Sequence, residues 1–330
     1  MSPRLLALLL ASATAATGLS ACGSGDDEDG AAAPAPEPTA ASPAGFPPAK
    51  GKSLGGLTKG LREGAILAPS SATSQKPGEG NRFAFAIVDR ANKQIDVSQV
   101  AVYTARPDGT QLRGPFVARK ESLDVATAYR SAQTSSDLAN GKTFYVAKPQ
   151  FGAAGAQIAV GLVRLDGRLV VADAPMALQV GAKNGPPDVG DKAIRVHTLT
   201  PPDVGGDLVK LTTRAPPAPE LLGTDFADVV GRKPVVLLFA TPALCASSTC
   251  GPVVDIAEQV RAQNGKGVAF IQQEIYEDND PGKPVRSQVS AWRLPTEPWA
   301  FVIDRTGKVA ARFEGVFSTG ELARAVAKVK

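Results

Sequence analysis

Six consecutive apolar residues, Val235-Val236-Leu237-Leu238-Phe239-Ala240, constrain this 330-residue chain more than any other stretch. A run of strand length with no polar alternation suits a strand covered on both faces, as in a sheet flanked by helices. After a loop over residues 241–251, Val253, Ile256, Ala257 and Val260 recur at helical spacing, and a second apolar run at 268–271 follows Gly265 and Gly267. Strand, helix, strand in that order is a β-α-β unit, for which parallel pairing through a right-handed crossover is the default. Residues 299–303, a turn at Arg305-Thr306-Gly307, and residues 309–313 then read as an antiparallel hairpin. Ser318 and Glu321 are spaced as a capping box, ahead of a helix with Leu322, Val326 and Val329 on one face. Residues 205–330 are therefore expected to form an α/β domain.

The pattern upstream differs. Phe83, Phe85 and Ile87 alternate with smaller residues; Val100, Val102 and Tyr103 follow, then residues 143–146, 158–163 and 169–172, and finally Met176, Leu178 and Val180 with period two. Asp166-Gly167 between two of these runs is a strong hairpin turn. Short strands without helical periodicity predict an all-β sandwich of immunoglobulin-like type over residues 54–182. It holds no convergent set of His, Cys, Asp or Glu, so it reads as a scaffold or binding module. Residues 183–204 are a linker: Pro186-Pro187, Pro201-Pro202 and Gly205-Gly206 mark the boundary. Such a linker offers few residues to a shared core, so the two domains are expected to fold independently.

At the N-terminus Arg4 precedes an apolar run at 5–16, too short to span a bilayer comfortably, and small residues lead to Leu19-Ser20-Ala21-Cys22. That tetrapeptide resembles the bacterial lipobox. The resemblance implies a lipoprotein signal peptide over residues 1–21, a lipid on Cys22, and a mature chain anchored at the extracytoplasmic face of the cell membrane. Residues 22–53, rich in Gly, Asp, Ala and Pro, read as a disordered tether, and the acids Asp26, Asp27, Glu28 and Asp29 as a solvated spacer.

Charge and histidine content narrow the chemistry. The 36 basic and 32 acidic residues leave a formal charge of +4, with no basic run or aromatic platform to engage a nucleic acid. A single histidine, His197, excludes a multi-histidine metal centre. In a linker it is expected to be solvated or to make one backbone bond. No metal and no cofactor are expected.

The order β-α-β then β-β-α, with Cys245 and Cys250 between the first strand and its helix, resembles the thioredoxin-like arrangement. Pro298, immediately before Trp299-Ala300-Phe301-Val302-Ile303-Asp304 and the turn Arg305-Thr306-Gly307-Lys308-Val309, is similar to the cis-proline segment of exported thioredoxin-like reductases and redoxins. The resemblance implies that Pro298 is cis, faces the active disulfide and shapes the substrate groove. The cysteines depart from the pattern: four residues intervene, where the reductases have two and copper-assembly proteins three. Residues five apart on a helix differ by about 140° around its axis, so Cys245 belongs in the loop and Cys250 at the helix start, with Pro252 in the first turn. With Cys22 lipidated, Cys245 and Cys250 remain to pair as a disulfide. Pro242, Ser247 and Cys250 approach a peroxidatic pattern, with Pro242 one residue too far away. Glu274, at the end of the second strand, reads either as a proton shuttle to Cys250 or as a solvated strand-end acid.

Two functions follow from the resemblance. One is a lipid-anchored thiol-disulfide oxidoreductase acting on exported protein thiols or disulfides, with Cys245, Cys250 and Pro298 as its catalytic residues. The other is a non-catalytic binding or assembly lipoprotein that keeps a structural disulfide.

Overall fold

The computed structural model describes residues 36–136, 142–173, 177–245, 249–264 and 267–330. The signal segment 1–21, Cys22, the acidic spacer, Met176 and Ser247 lie outside the described residues.

The all-β part contains β1 (Arg62–Pro69), β2 (Phe83–Val88), β3 (Val100–Ala105), β4 (Arg113–Val117), β5 (Arg119–Ser122), β6 (Thr143–Ala147), β7 (Gly155–Leu165), β8 (Arg168–Asp173) and β9 (Leu178–Val180), with short helices α1 (Leu54–Thr58) and α2 (Ala132–Ser136). Its strands run β4-β3-β7-β8-β1-β2-β6-β5, and β9 also pairs with β7. Strand β1 is antiparallel to β2 and parallel to β8, so it joins two four-stranded halves into one sheet. Leu67, Phe83, Phe85, Val102, Tyr145 and Val163, drawn from both halves, form one buried cluster. The turn at Asp166 and Gly167 works as expected: both residues have positive φ, 49° and 76°, which brings Leu165 opposite Arg168.

The α/β part contains α3 (Phe226–Val229), β10 (Val235–Phe239), α4 (Cys250–Asn264), β11 (Ala269–Gln273), α5 (Ser287–Ala291), β12 (Trp299–Ile303), β13 (Val309–Glu314) and α6 (Thr319–Ala327). Its sheet has the order β11-β10-β12-β13, with β10 parallel to β11 and antiparallel to β12. This is the thioredoxin-like order of strands and helices. Every residue of β10 is buried, because α4 and α6 cover one face and Phe226, Trp292, Phe301 and Ile275 fill the other. The Ser318–Glu321 capping box opens α6: Glu321 N donates to Ser318 Oγ at 3.2 Å, and Ser318 N donates to Glu321 Oε2 at 3.3 Å.

Two boundaries, and the relation between the two parts, differ from the sequence reading. The tether shortens, because Phe46 and Ala49 are buried against Tyr103, Val160 and Leu162 on the outer face of the β part. A lone phenylalanine in a Gly/Pro-rich run finds an apolar seat there, which the run's composition does not reveal. The linker is docked: Ala193, Ile194 and Val196 pack on the second core, and Gly190 N and Ala193 N donate to Val309 O and Gly307 O. The α/β body thus begins near residue 188.

Most importantly, the two parts share a core rather than standing apart. Ala84 and Phe144 from the β part lie in one buried cluster with Val254 of α4 and with Phe317 and Val326. A charged seam runs beside it. Arg119 Nη2 and Arg82 Nε donate to Glu321 Oε1 at 2.6 and 2.9 Å, and Ser318 Oγ donates to Glu121 Oε2 at 2.7 Å. Glu314 accepts from Thr73 N and Ser74 N at 3.0 and 2.8 Å. Gly315, at φ 70°, passes so close to the β part that an added Cβ would lie 2.1 Å from the Ser70 carbonyl oxygen.

Removing Glu321 leaves two guanidiniums facing each other in a buried seam. Glu321→Ala is expected to cost about 3–5 kcal/mol. Urea unfolding followed at once by near-UV circular dichroism and tryptophan emission should show one transition in both proteins, at lower urea in the variant. Separate transitions for the two parts in wild type would contradict the shared core.

Candidate redox site

The chain leaves the carboxyl end of β10 at Phe239 and turns through Thr241, Pro242 and Ala243 to Cys245. It is held at its start by Ala240 N donating to Gln273 O at 3.1 Å, and within the turn by Leu244 N donating to Thr241 O at 3.3 Å. It enters α4 at Cys250, with Pro252 in the first turn, where a missing N–H costs nothing. Cys245 and Cys250 form a disulfide with their Cα atoms 6.0 Å apart. Their environments are unequal: Cys250 is fully buried in the shared core, while Cys245 is partly exposed. Phe239 stands opposite Trp299, so Pro298, just before β12, lies at the end of the sheet from which the cysteine loop emerges. The Glu297–Pro298 peptide is cis, and Pro298 O accepts from Gly315 N at 2.8 Å.

Glu274 is buried, not a solvated strand-end acid. Its Oε1 accepts from Thr213 N at 2.6 Å and from Thr213 Oγ1 at 2.8 Å. Burial raises its carboxyl above the ordinary glutamate range, and the bonds from Thr213 offset only part of that. Thr213 Oγ1 also accepts from Ala243 N at 3.0 Å, so one side chain links the buried acid to the cysteine loop. Composition and motif reading gave no hint of Thr213. Asp255 was signalled better, as an acid inside the apolar run Val253-Val254-Asp255-Ile256-Ala257. It is fully buried, accepts from Arg214 Nε at 2.8 Å, and accepts from Ser131 N and Oγ of the β part at 2.8 and 3.0 Å.

Two grooves, of about 300 and 430 Å³, open elsewhere. One runs along Glu37, Arg119 and Lys148 and the other along Gln75, Arg293 and Arg312, and neither includes a cysteine. Among the described residues no group of three or more His, Cys, Asp or Glu is disposed to hold a metal ion. His197 is tied down more firmly than a linker histidine would be: Nδ1 is 2.8 Å from Asp225 Oδ2, and Nε2 is 3.4 Å from Asp203 Oδ1.

Among solved structures the chain is similar to a thiol:disulfide interchange protein, thioredoxin family protein, from Chlorobium tepidum TLS. Identity is 17% over 45% of this chain and 99% of that one, with a TM-score of 0.29. No family profile and no curated protein matches the chain. The fold assignment rests on the strand order itself.

The hydrogen bond to Asp225 and the charges of Asp225 and Asp203 raise His197 above its ordinary 6.5. A raised folded-state value adds stability that is complete below the unfolded value and lost as pH rises through the folded one. Because the ring is half exposed, the gain is small. As the only histidine, its imidazole resonances can be followed directly by NMR; the midpoint should lie above 6.5, and Asp225→Asn should lower it. An unchanged midpoint in that variant would remove Asp225 as the cause.

Proposed function

We propose that this chain is a lipid-anchored, extracytoplasmic thiol-disulfide oxidoreductase that cycles the Cys245–Cys250 disulfide with exported protein thiols or disulfides. The observation that carries this reading is the unequal burial of a disulfide placed where β10 gives way to α4. A partner thiolate attacks the Cys245 sulfur, the disulfide breaks, and Cys250 leaves as a thiolate in the first turn of α4. The helix end favours that thiolate by up to about 2 kcal/mol. A second partner thiolate then attacks the partner sulfur of the mixed disulfide and displaces Cys245. The net result is one partner disulfide, the reduced pair and the two protons given up by the partner thiols, which the two cysteines take up. Glu274, with its raised carboxyl, is the buried group available to carry a proton on the inner side of the loop. Pro298, at the same end of the sheet, shapes the surface met by the partner chain.

The lipid anchor rests on Leu19-Ser20-Ala21-Cys22, and among the described residues no helix is long and apolar enough to cross a membrane. The β part, with halves β4-β3-β7-β8 and β1-β2-β6-β5, serves as an immunoglobulin-like module in this reading.

Cys250→Ser should leave Cys245 able to trap partners as mixed disulfides on non-reducing gels after acid quenching, whereas Cys245→Ser should trap few. If neither traps and the wild-type pair resists exchange with a small dithiol, the disulfide is structural and the protein is a binding or assembly lipoprotein. Separately, Cys22→Ala should move the protein from the membrane to the soluble fraction; unchanged membrane retention would remove the anchor assignment.

A further inference from the structure

The β part reaches the cysteine loop through a short chain of hydrogen bonds. Helix α2 lies against the first turn of α4: an added Cβ on Gly251, next to Cys250, would lie 3.1 Å from Gln133 Cβ and 3.4 Å from Thr134 Oγ1. From that position the Gln133 amide grips the backbone of residues 213–215 with both of its ends. Nε2 donates to Thr213 O at 3.0 Å, and Oε1 accepts from Ala215 N at 3.1 Å. Thr213 in turn holds Glu274 through N and Oγ1, and holds the loop through Ala243 N, two residues before Cys245.

Docking of the two parts does not need this grip. Asp255 already joins α4 to Ser131 and Arg214, and Arg214 Nη2 adds a hydrogen bond to Tyr129 O at 2.8 Å and an ion pair with Glu258 Oε2 at 2.7 Å. The Gln133 amide engages only the backbone on either side of Arg214, so what it adds is a hold from the β part on Thr213 and Ala215, beside the hold Glu274 has on Thr213 from the α/β side.

We propose that Gln133 and Thr213 are positioning residues for the cysteine pair, through which the β part sets how readily the disulfide is reduced. This rests on the reading of Cys245–Cys250 as an exchanging pair. The hydrogen bonds are made while the disulfide is closed, so their loss weakens the closed form and shifts the equilibrium with an external dithiol toward the reduced pair.

The test uses the full-length protein equilibrated with dithiothreitol at fixed pH, with the urea midpoint measured in parallel. Thr213→Val, which keeps the shape and the N–H but loses the hydroxyl, should shift the equilibrium toward the reduced pair by about 3- to 10-fold. Thr213→Ser should restore the wild-type value. Gln133→Leu should shift it in the same direction by less, and the double variant no further than Thr213→Val alone, since both act through one contact. Thr213→Val at the wild-type equilibrium, whatever its urea midpoint, would overturn the proposal, as would a shift that Thr213→Ser fails to restore. Should Gln133→Leu fail to fold, the Thr213 pair still decides. A wild-type disulfide that does not exchange at all would instead overturn the oxidoreductase reading beneath it.

Discussion

The carboxylate of Glu321 lies out of water between two sheets, held there by guanidiniums that belong to the other sheet. Burial alone would push its carboxyl upward, but Arg82 and Arg119 hold it below the ordinary range, so the group stays charged in the seam. The same residue closes the capping box of α6. One side chain therefore starts a helix and fixes that helix against a distant part of the chain. Buried ion clusters are worth little against apolar residues of equal volume, yet breaking one is costly. Here the cluster crosses the seam twice: Arg119 donates both to Glu121 of its own strand and to Glu321, and Glu121 in turn accepts from Ser318.

With that arrangement set, α4 is enclosed. It packs on β10 on one side, while Ala84, Phe144 and Val146 from β2 and β6 close the other. Cys250 opens this helix and is sealed by the same packing, so its burial is a property of the joined molecule. Cys245, partly exposed, is then the more accessible sulfur of the pair. Separating the β part would uncover the buried cysteine as well as the apolar seam.

Much of the α/β part was legible because its signals are local. The apolar run of β10, the helical spacing in α4 and the Ser318–Glu321 pair each specify an element within a few residues. The joint between the two parts was written less openly, although one signal was present. Phe144-Tyr145-Val146-Ala147 is as continuous an apolar run as the one at 235–240, and the same rule demands cover on both faces. Tyr145 and Ala147 face the β core while Phe144 and Val146 face α4 and α6. Strand β1 was hidden differently: Arg62, Glu63 and Gly64 begin it and Pro69 ends it, so no alternation marks a strand that joins both halves. Gly64 is accepted there because a Cβ would press on the Val170 side chain at 3.2 Å. The pairing of Cys245 with Cys250 and the place of Pro298 before β12 were legible in the sequence, whereas the Thr213 hydroxyl and the Gln133 amide bind distant backbone groups, contacts that no residue pattern encodes.

The spacing of the cysteines ties these observations together. With two intervening residues, one turn of a helix could hold both sulfurs on the same face. Here four intervene, and five residues of helix would turn the second sulfur by about 140° from the first. Cys245 must therefore be placed by something other than α4. The described contacts name the holders on its inner side: Gln273 O at the root of the loop, and Thr213 Oγ1 at Ala243. Gln273 belongs to the sheet and is placed once β11 pairs with β10, but Thr213 sits on a segment that has no ladder of its own and is held by side chains: Glu274 and, through Thr212, Gln272 on the α/β side, and Gln133 from the β part. A longer cysteine loop thus requires an outside support, and the molecule supplies it from the part of the chain that a two-domain reading would set apart.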